Sequence, residues 1–294
     1  MSKLLSNKPK VIAIVGATAS GKTAYSIELA KKLDGEIISA DSRLVYKGFN
    51  IGTAKPTIEE REGIPHYMID IVEPEFDYSA GLYKKEGTAI IEKILKKGKT
   101  PIIVGGTGLY IDILLKNFDL PEIEANQTLR AELKKFSKSE LFEKLKKLDE
   151  NAAQTIDSND SKKIIRAIEI ISTTGKSLAM SRGKNESIYE IEWIGKNFER
   201  KILYERIDKR VDIMIKAGLI EETTSLLEKH GRIPNLVNTI GYREIIGYLD
   251  NLYSLDTAIE LLKKNTRNYA KRQLTWFRRN NEIKWDIFPE KLKK

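Results

Sequence analysis

The chain has 294 residues, a hydrophobic fraction of 41%, a formal net charge of +9, no cysteine and two histidines. This composition excludes disulfides and membrane-spanning helices, and it argues against thiolate or histidine metal sites, so we expect a cytoplasmic protein whose metal, if any, is Mg²⁺ held by oxygen. The positive charge favours a polyanionic partner, although a lysine-rich solvated surface would give the same number.

The first predicted elements are a strand, a glycine-rich loop and a helix. The apolar run Val11 to Val15 precedes the sequence GATASGKT, and the helical pattern Ala24 to Leu33 follows it. In such a unit backbone N–H groups close around phosphate oxygens, Lys22 adds a point charge and Thr23 can ligate Mg²⁺. The predicted phosphate-binding residues are Gly16, Ala17, Thr18, Ala19, Ser20, Gly21, Lys22 and Thr23. The loop alone leaves open whether the ligand is a nucleoside triphosphate or another diphosphate.

The segments that follow are typical of a parallel sheet. Short apolar runs bounded by turn residues occur at Lys10 to Val15, Glu36 to Ala40 and Pro101 to Val104, with a helical pattern from Tyr83 to Lys97. This alternation predicts an α/β fold, a P-loop-type parallel sheet flanked by helices.

The pattern changes after about residue 120. Only helical periodicity is visible from residue 121 to 190, which predicts an all-helical insertion between core segments 1–120 and 191–294. The predicted insertion helices are Gln127 to Phe136, Ser139 to Leu148 and Asn159 to Thr174. The resumed core should contain strands Glu190 to Ile194 and Ile283 to Phe288, with helices Tyr204 to Lys229 and Thr257 to Asn280 between them.

A nucleoside triphosphatase normally has a strand ending in an acidic residue, and the expected position lacks one. Pro101 to Val104 leads into a second glycine-rich turn, Gly105 to Tyr110, in which Thr107 stands where a carboxylate was expected. The carboxylate that follows a strand is Asp41, and it should face the same crevice as the phosphate loop. A lone Asp at a strand end is also often a helix cap or a Mg²⁺ ligand.

The last predicted helix is basic on one side. At 100° per residue one set of polar side chains falls within about 60° and an apolar stripe lies roughly opposite. The polar set is Lys264, Arg267, Lys271, Thr275 and Arg278, and the stripe is Ala258, Leu262, Tyr269 and Trp276. The basic face could meet phosphate, or it could be an ordinary solvated face.

Several motifs together resemble those of the bacterial tRNA dimethylallyltransferases. In chain order they are GATASGKT, SADSRLVYKGFNIGTAKP, PHYMID, VGGTGLY, NDSKKIIRAIE, IGYRE and AKRQLTWFR. The resemblance implies transfer of a dimethylallyl group from dimethylallyl diphosphate to N6 of the adenosine immediately 3′ of the anticodon in tRNA, with release of diphosphate. It would explain the missing carboxylate, because no γ-phosphoryl group is transferred.

The resemblance also implies roles for residues. Asp41 would be the general base, Arg210 the catalytic arginine with Arg206 as second choice, and Lys22, Thr18 and Thr23 would act at the diphosphate. The implied tRNA contacts are Asp41, Ser42, Arg43, Leu44, Thr107, Arg130, Lys162, Lys163, Ile164, Ile165, Arg166, Lys271, Arg272, Trp276 and Arg278. A Leu44 contact is in doubt because many members have Gln there. We expect Mg²⁺ as cofactor and a monomer that binds the tRNA anticodon stem-loop.

Three other functions stay open at this stage. A P-loop small-molecule kinase shares the loop and the strand-end Asp, but it does not predict the helical insertion or the basic last helix. A prenyltransferase acting on free adenine nucleotides would not need surfaces that hold tRNA. A nonenzymatic RNA-binding protein would need neither Lys22 nor Asp41.

Overall fold

The computed structural model describes residues 8–116, 123, 126–177 and 186–288. Contacts divide the chain into two compact units, one formed by residues 1–115 and 188–294 and the other by residues 116–187. The insertion predicted from the sequence overlaps the second unit. In the described ranges no helix has the length and apolar composition that crossing a bilayer requires.

The first unit is built on a parallel sheet. Its strands are β1 (Lys10–Val15), β2 (Gly35–Ser39), β3 (His66–Tyr67), β4 (Thr100–Gly105), β5 (Glu190–Phe198) and β6 (Lys284–Phe288). They lie in the order β3-β2-β4-β1-β5-β6, and each neighbouring pair is parallel. Val11 to Val15 of β1 are buried, as a central strand covered on both faces requires. The predicted α/β fold with a parallel sheet is confirmed.

Helices surround this sheet. They are α1 (Lys22–Lys32), α2 (Ala80–Lys96), α3 (Gly108–Leu115), α8 (Arg200–Lys216), α9 (Leu219–His230), α10 (Pro234–Val237), α11 (Tyr242–Leu249) and α12 (Leu255–Phe277). The single helix predicted from Tyr204 to Lys229 is wrong. Gly218 has a φ angle of 98°, and this left-handed residue ends α8 and begins α9.

A half-buried carboxylate fixes the loop that follows β2. Glu222 of α9 accepts hydrogen bonds from the backbone N–H groups of Ile51 and Gly52, at 2.9 and 3.0 Å, and from the Tyr242 hydroxyl at 2.7 Å. A Cβ atom on Gly52 would lie 2.5 Å from the Tyr242 ring. The IGTAKP and IGYRE segments therefore pack against each other, which gives both a structural role.

The second unit is helical in its described residues. It contains α4 (Gln127–Leu133), α5 (Lys138–Leu148), α6 (Glu150–Thr155) and α7 (Ser161–Thr174). Leu141 and Leu145 of α5 pack with Ile164 and Ile168 of α7 in one hydrophobic core. Ser137 and Glu140 form a capping box that fixes the start of α5.

Candidate active site

The loop after β1 has a backbone conformation that depends on glycine. Gly16 and Gly21 have φ angles of 148° and 80°, and Ala19 adopts a left-handed φ of 62°. A Cβ atom on Gly16 would lie 2.1 Å from the carbonyl oxygen of Lys196, so a side chain there would force the loop away from β5. Because α1 begins at Lys22, the loop leads into a helix N-terminus, which favours anions.

Lys22 folds back on its own loop. Its Nζ donates to the carbonyl oxygen of Ala17 at 2.6 Å and to Ser20 Oγ at 3.5 Å. Burial and the Arg210 guanidinium lower the pKa of Lys22 to about 7, against the opposing effect of the Asp41 carboxylate. An anion bound in the loop would favour the charged ammonium and raise this pKa again.

Two arginines of α8 reach the loop in different ways. Arg210 Nη1 donates to Thr18 Oγ1 at 3.3 Å, and burial together with the neighbouring Arg206 lowers the pKa of Arg210 below its ordinary value. Arg206 Nε donates to the carbonyl oxygen of Ala19 at 2.9 Å, and its guanidinium lies 4.3 Å from the centroid of the Phe198 ring. The Arg210 guanidinium thus donates to a hydroxyl of the phosphate loop, whereas the Arg206 guanidinium donates to a backbone carbonyl and packs on an aromatic ring.

Asp41 follows β2, at the same edge of the sheet as the loop. Its Oδ1 accepts a hydrogen bond from the backbone N–H of Arg43 at 2.8 Å. Oδ2 accepts no hydrogen bond from the part of the chain that the structure describes. One oxygen therefore fixes the carboxylate, and the other remains able to accept a proton.

The second glycine-rich turn lies between Asp41 and the phosphate loop, because β4 is the strand between β2 and β1. Thr107 Oγ1 accepts the backbone N–H of Ser42 at 3.0 Å, and the Thr107 N–H donates to the carbonyl oxygen of Ala40 at 3.1 Å. A Cβ atom on Gly105 would lie 2.1 Å from that same oxygen. The glycine is needed so that the turn can cross the end of β2.

Gln273 of α12 lies between the two turns, and the sequence analysis assigned it no role. Its Oε1 accepts the backbone N–H of Thr18 at 2.9 Å, and its Nε2 donates to the carbonyl oxygen of Gly106 at 3.0 Å. The side chain is buried. Burial raises the pKa of neighbouring Tyr269 to about 12, an effect that Asp41 increases and hydrogen bonds with Thr107 and Gln273 oppose.

The buried face of α12 differs from the predicted stripe. The residues buried on this helix are Ala258, Leu262, Ala270, Gln273 and Phe277. Trp276 is 37% exposed, its ring covers Gly108, and its Nε1 donates to Asp112 Oδ2 at 2.8 Å. Of the predicted tRNA contacts on α12 and at its C-cap residue Arg278, all are exposed: Lys271, Arg272, Trp276 and Arg278.

In the helical unit a buried carboxylate holds two of the predicted tRNA-contacting arginines. Glu169 is fully buried and accepts Arg130 Nε and Nη2, each at 2.9 Å, Arg166 Nη1 at 2.5 Å and the Asn126 N–H at 2.7 Å. Burial would raise the pKa of Glu169, but the hydrogen bonds from Arg130 and Arg166 outweigh it, so the pKa lies below its ordinary value. Both guanidiniums keep an exposed part, with side chains 25% and 32% accessible.

The neighbouring predictions on α7 divide by face. Lys162 and Lys163 are exposed. Ile164 and Ile165 are 0% and 9% exposed in the core of the helical unit, so their side chains are not available for the predicted contact with tRNA. The helical period turns them inward, which leaves only their backbone for such a contact.

Comparison with known proteins identifies the family. Family models described as IPP transferase and isopentenyl transferase match residues 44–280 and 9–73. The tRNA dimethylallyltransferase of Pelotomaculum thermopropionicum is 46% identical over 285 residues, which cover 95% of this chain and 90% of the relative. That of Carboxydothermus hydrogenoformans is 47% identical over 293 residues, with 97% and 94% covered. The chain belongs to the tRNA dimethylallyltransferase family.

Solved structures agree with this family membership. The full-length tRNA isopentenylpyrophosphate transferase of Bacillus halodurans is 42% identical, with a TM-score of 0.74 and coverage of 97% of this chain and 91% of that one. A eukaryotic dimethylallyltransferase acting on tRNA is 30% identical, with a TM-score of 0.83 and coverage of 96% and 74%. As a member of the tRNA dimethylallyltransferase family, the chain is a prenyl transferase.

In this member of the tRNA dimethylallyltransferase family, the predicted residues lie in groups at the phosphate loop, at the adjacent strand ends and within the helical unit. Lys22, Thr18 and Arg210 lie together, and Asp41 and Thr107 lie at the adjacent strand ends. Ser42, Arg43 and Leu44 are half-buried beside Asp41. The predicted residues of the helical unit form a separate group within that unit.

We expect Glu169→Gln to destabilise the helical unit by about 1–3 kcal/mol, because charge-assisted hydrogen bonds from two arginines lose their carboxylate. Since the folded-state pKa of Glu169 is lowered, its stabilisation is present above the unfolded pKa and is lost as pH falls through the lower folded pKa. Hydrogen exchange across residues 126–177 measures the change. The exposed Glu143→Gln is the control, and equal effects of both substitutions would contradict the prediction.

Proposed function

We propose that this chain transfers the dimethylallyl group of dimethylallyl diphosphate to N6 of the adenosine immediately 3′ of the anticodon in tRNA. The observation that carries the proposal is that the phosphate loop and the Asp41 carboxylate lie at one edge of the sheet. The turn that lies between them, Gly105 to Tyr110, contains no acidic residue. The loop suits a departing diphosphate, and the carboxylate suits a proton acceptor. Family membership supports the same pairing of donor and acceptor.

The donor half of the reaction breaks the C–O bond between the dimethylallyl group and the diphosphate, and the electron pair leaves with the diphosphate. The departing charge needs positive groups and N–H donors that are already in place. Lys22, the loop N–H groups and Arg210 on Thr18 provide them. Exclusion of water protects the allylic carbon from hydrolysis.

A Mg²⁺ ion fits this half of the site. The described residues hold no cluster of three or more Asp, Glu, His or Cys side chains that could bind a metal alone. Mg²⁺ in phosphate sites is commonly held by one or two protein oxygens and by the substrate's own phosphates. We assign that protein oxygen to the exposed hydroxyl of Thr23, directly after Lys22. When bound, the ion would neutralise part of the diphosphate charge.

The acceptor half forms the bond between N6 and the allylic carbon. The exocyclic amine is a poor nucleophile because its lone pair is delocalised into the purine, so its proton must leave as the bond forms. Asp41 Oδ2 takes that proton, while the Arg43 N–H on Oδ1 keeps the carboxylate in place. The adenosine must be flipped out of the loop to reach it.

The tRNA anticodon stem-loop is proposed to meet three groups of residues. They lie after β2 and β4, on α12, and in the helical unit. The residues are Asp41, Ser42, Arg43, Leu44, Thr107, Lys271, Arg272, Trp276, Arg278, Arg130, Lys162, Lys163 and Arg166. We further propose that the chain works as a monomer in the cytoplasm.

One assay tests the reaction and its rivals. The protein is incubated with radiolabelled dimethylallyl diphosphate, Mg²⁺ and either unmodified tRNA, AMP or ATP. We expect label in tRNA only. Label in free nucleotide but never in tRNA would contradict the proposal, and ATP consumption without label transfer would indicate a kinase.

Donor binding should depend on pH through Lys22. The charged ammonium binds the diphosphate, and the pKa of Lys22 in the free protein is about 7. Binding raises that pKa, so the dissociation constant of dimethylallyl diphosphate should be flat below pH 7 and rise by up to about tenfold per pH unit above it. Equilibrium dialysis from pH 6 to 9 measures this. The donor's own phosphate, with a last pKa near 6, is about half ionised at pH 6 and largely ionised by pH 7, so a break above pH 7 belongs to the protein.

The control for this measurement is Lys22→Met. It should bind the donor more weakly and without the break near pH 7. Parallel profiles for the variant and the wild type would show that another group titrates.

A further inference from the structure

Gln273 connects the two halves of the candidate site. The residue is 5% exposed and lies 255 residues after Thr18 in sequence, yet its amide contacts the backbone of the phosphate loop and of the second glycine-rich turn. The backbone N–H of Thr18 therefore donates to the Gln273 side chain, whereas an N–H that binds phosphate must be left for the ligand. The amide has both a donor and an acceptor, and each has a partner.

These contacts continue in both directions. On the donor side, Thr18 Oγ1 accepts Arg210 Nη1 at 3.3 Å. On the acceptor side, Gly106 precedes Thr107, whose hydroxyl holds the backbone N–H of Ser42 next to Asp41. The side chain of Gln273 is thus the central member of a path from Arg210 to the residue beside Asp41, made of hydrogen bonds and the covalent links within Thr18 and between Gly106 and Thr107.

Packing reinforces the contact at Gly106. A Cβ atom at this position would lie 2.1 Å from Gln273 Nε2. Gly106 does not have a left-handed φ, so it is the close approach of the Gln273 amide, rather than the backbone angles of Gly106, that leaves no room for a Cβ atom here. The second glycine-rich turn therefore packs closely against the Gln273 amide at Gly106.

We propose that Gln273 is a positioning residue for prenyl transfer, which fixes the separation between the diphosphate-binding loop and the base Asp41. This inference rests on the proposed function. The carbon that leaves the diphosphate must meet N6 in line, and a misplacement of about 1 Å can cost about 10²-fold in rate. Gln273 touches neither reacting atom; it acts through Thr18 and Gly106.

The main test is Gln273→Met, which keeps the length of the side chain and removes both hydrogen bonds. We expect kcat to fall about 10–100-fold while the KM for dimethylallyl diphosphate changes less than about threefold, because alignment matters chiefly in the transition state. Gln273→Glu retains an acceptor for Thr18 N–H but, when ionised, cannot donate to the carbonyl oxygen of Gly106, so we expect a similar loss. The exposed Gln154→Met is the matched control and should match the wild type.

Gly106→Ala approaches the same contact from the other side. Its methyl group should displace the Gln273 amide and lower kcat to a similar extent, with little further loss when combined with Gln273→Met. Circular dichroism melting shows which variants are folded at the assay temperature. A folded Gln273→Met or Gly106→Ala protein with kcat within twofold of the wild type would overturn the proposal.

The wild-type protein gives a measurement that does not depend on the folding of a variant. The Thr18 amide should exchange slowly with deuterium in the free protein and after addition of inorganic pyrophosphate and an anticodon stem-loop. Exchange as fast as in an unstructured peptide would also overturn the proposal. Failure of the proposed function is distinct, because the wild type itself would then not label tRNA.

Discussion

The Asp41→Asn variant is expected to bind tRNA normally and to lose about 10²–10⁴-fold in kcat, the range that a general base contributes. The amide retains an oxygen that can accept the backbone N–H of Arg43, now held at 2.8 Å, so the local turn should persist. It cannot take the proton of N6. Single-turnover transfer of labelled dimethylallyl diphosphate measures the chemical step, and filter binding measures tRNA affinity.

Two controls separate the base from the turn. Ser42→Ala removes a hydroxyl beside Asp41 but keeps the backbone N–H that Thr107 Oγ1 accepts, so its effect on the chemical step should be below about tenfold. Asp77→Asn replaces an exposed carboxylate and should leave the rate unchanged. Near-normal turnover by Asp41→Asn would remove Asp41 from the mechanism.

The first half of the fold could be predicted because its signals are local. The strand before the phosphate loop is a short apolar run bounded by turn residues, and the α1 helix after it has the helical period. The strand His66–Tyr67 has two residues, too few for any period, and it is fixed by pairing with β2. The break between α8 and α9 did have a signal, Gly218, which the uninterrupted apolar pattern around it obscured.

Some residues of the candidate site could likewise be predicted from local sequence signals, and others could not. Asp41 and Thr107 follow buried strands, so the sheet brings them together, as the order β2-β4-β1 requires. Gln273 could not be found from its position, because a glutamine in a helix has no distinctive chemistry and its partner Thr18 is 255 residues away. Glu169 did leave a signal, its i,i+3 spacing from Arg166, but sequence alone does not say that the carboxylate is buried.

The Arg210→Gln variant is expected to lower kcat by about 10²–10³-fold, the cost of removing one group that stabilises charge on a leaving oxygen. Arg206→Gln should lower kcat by less than about tenfold. Arg206 donates to the carbonyl oxygen of Ala19, and because a carbonyl oxygen repels phosphate, this guanidinium should contribute less to the departing diphosphate. The exposed Lys209→Gln lies between them on α8 and is the control for lost surface charge. Single-turnover rates at saturating donor compare the three.

A larger loss for Arg206→Gln than for Arg210→Gln would reverse the assignment, and a second readout checks it independently of the rate. The Arg210 guanidinium is one of the two causes that lower the pKa of Lys22. Its removal should raise that pKa, so the pH at which donor affinity begins to fall should move above 7 in Arg210→Gln. Arg206 does not act on Lys22 in this way, so Arg206→Gln should keep the wild-type break. A shifted break together with a slow chemical step is the result expected if Arg210 and Lys22 act on the same diphosphate, and an unshifted break in Arg210→Gln would contradict their proximity.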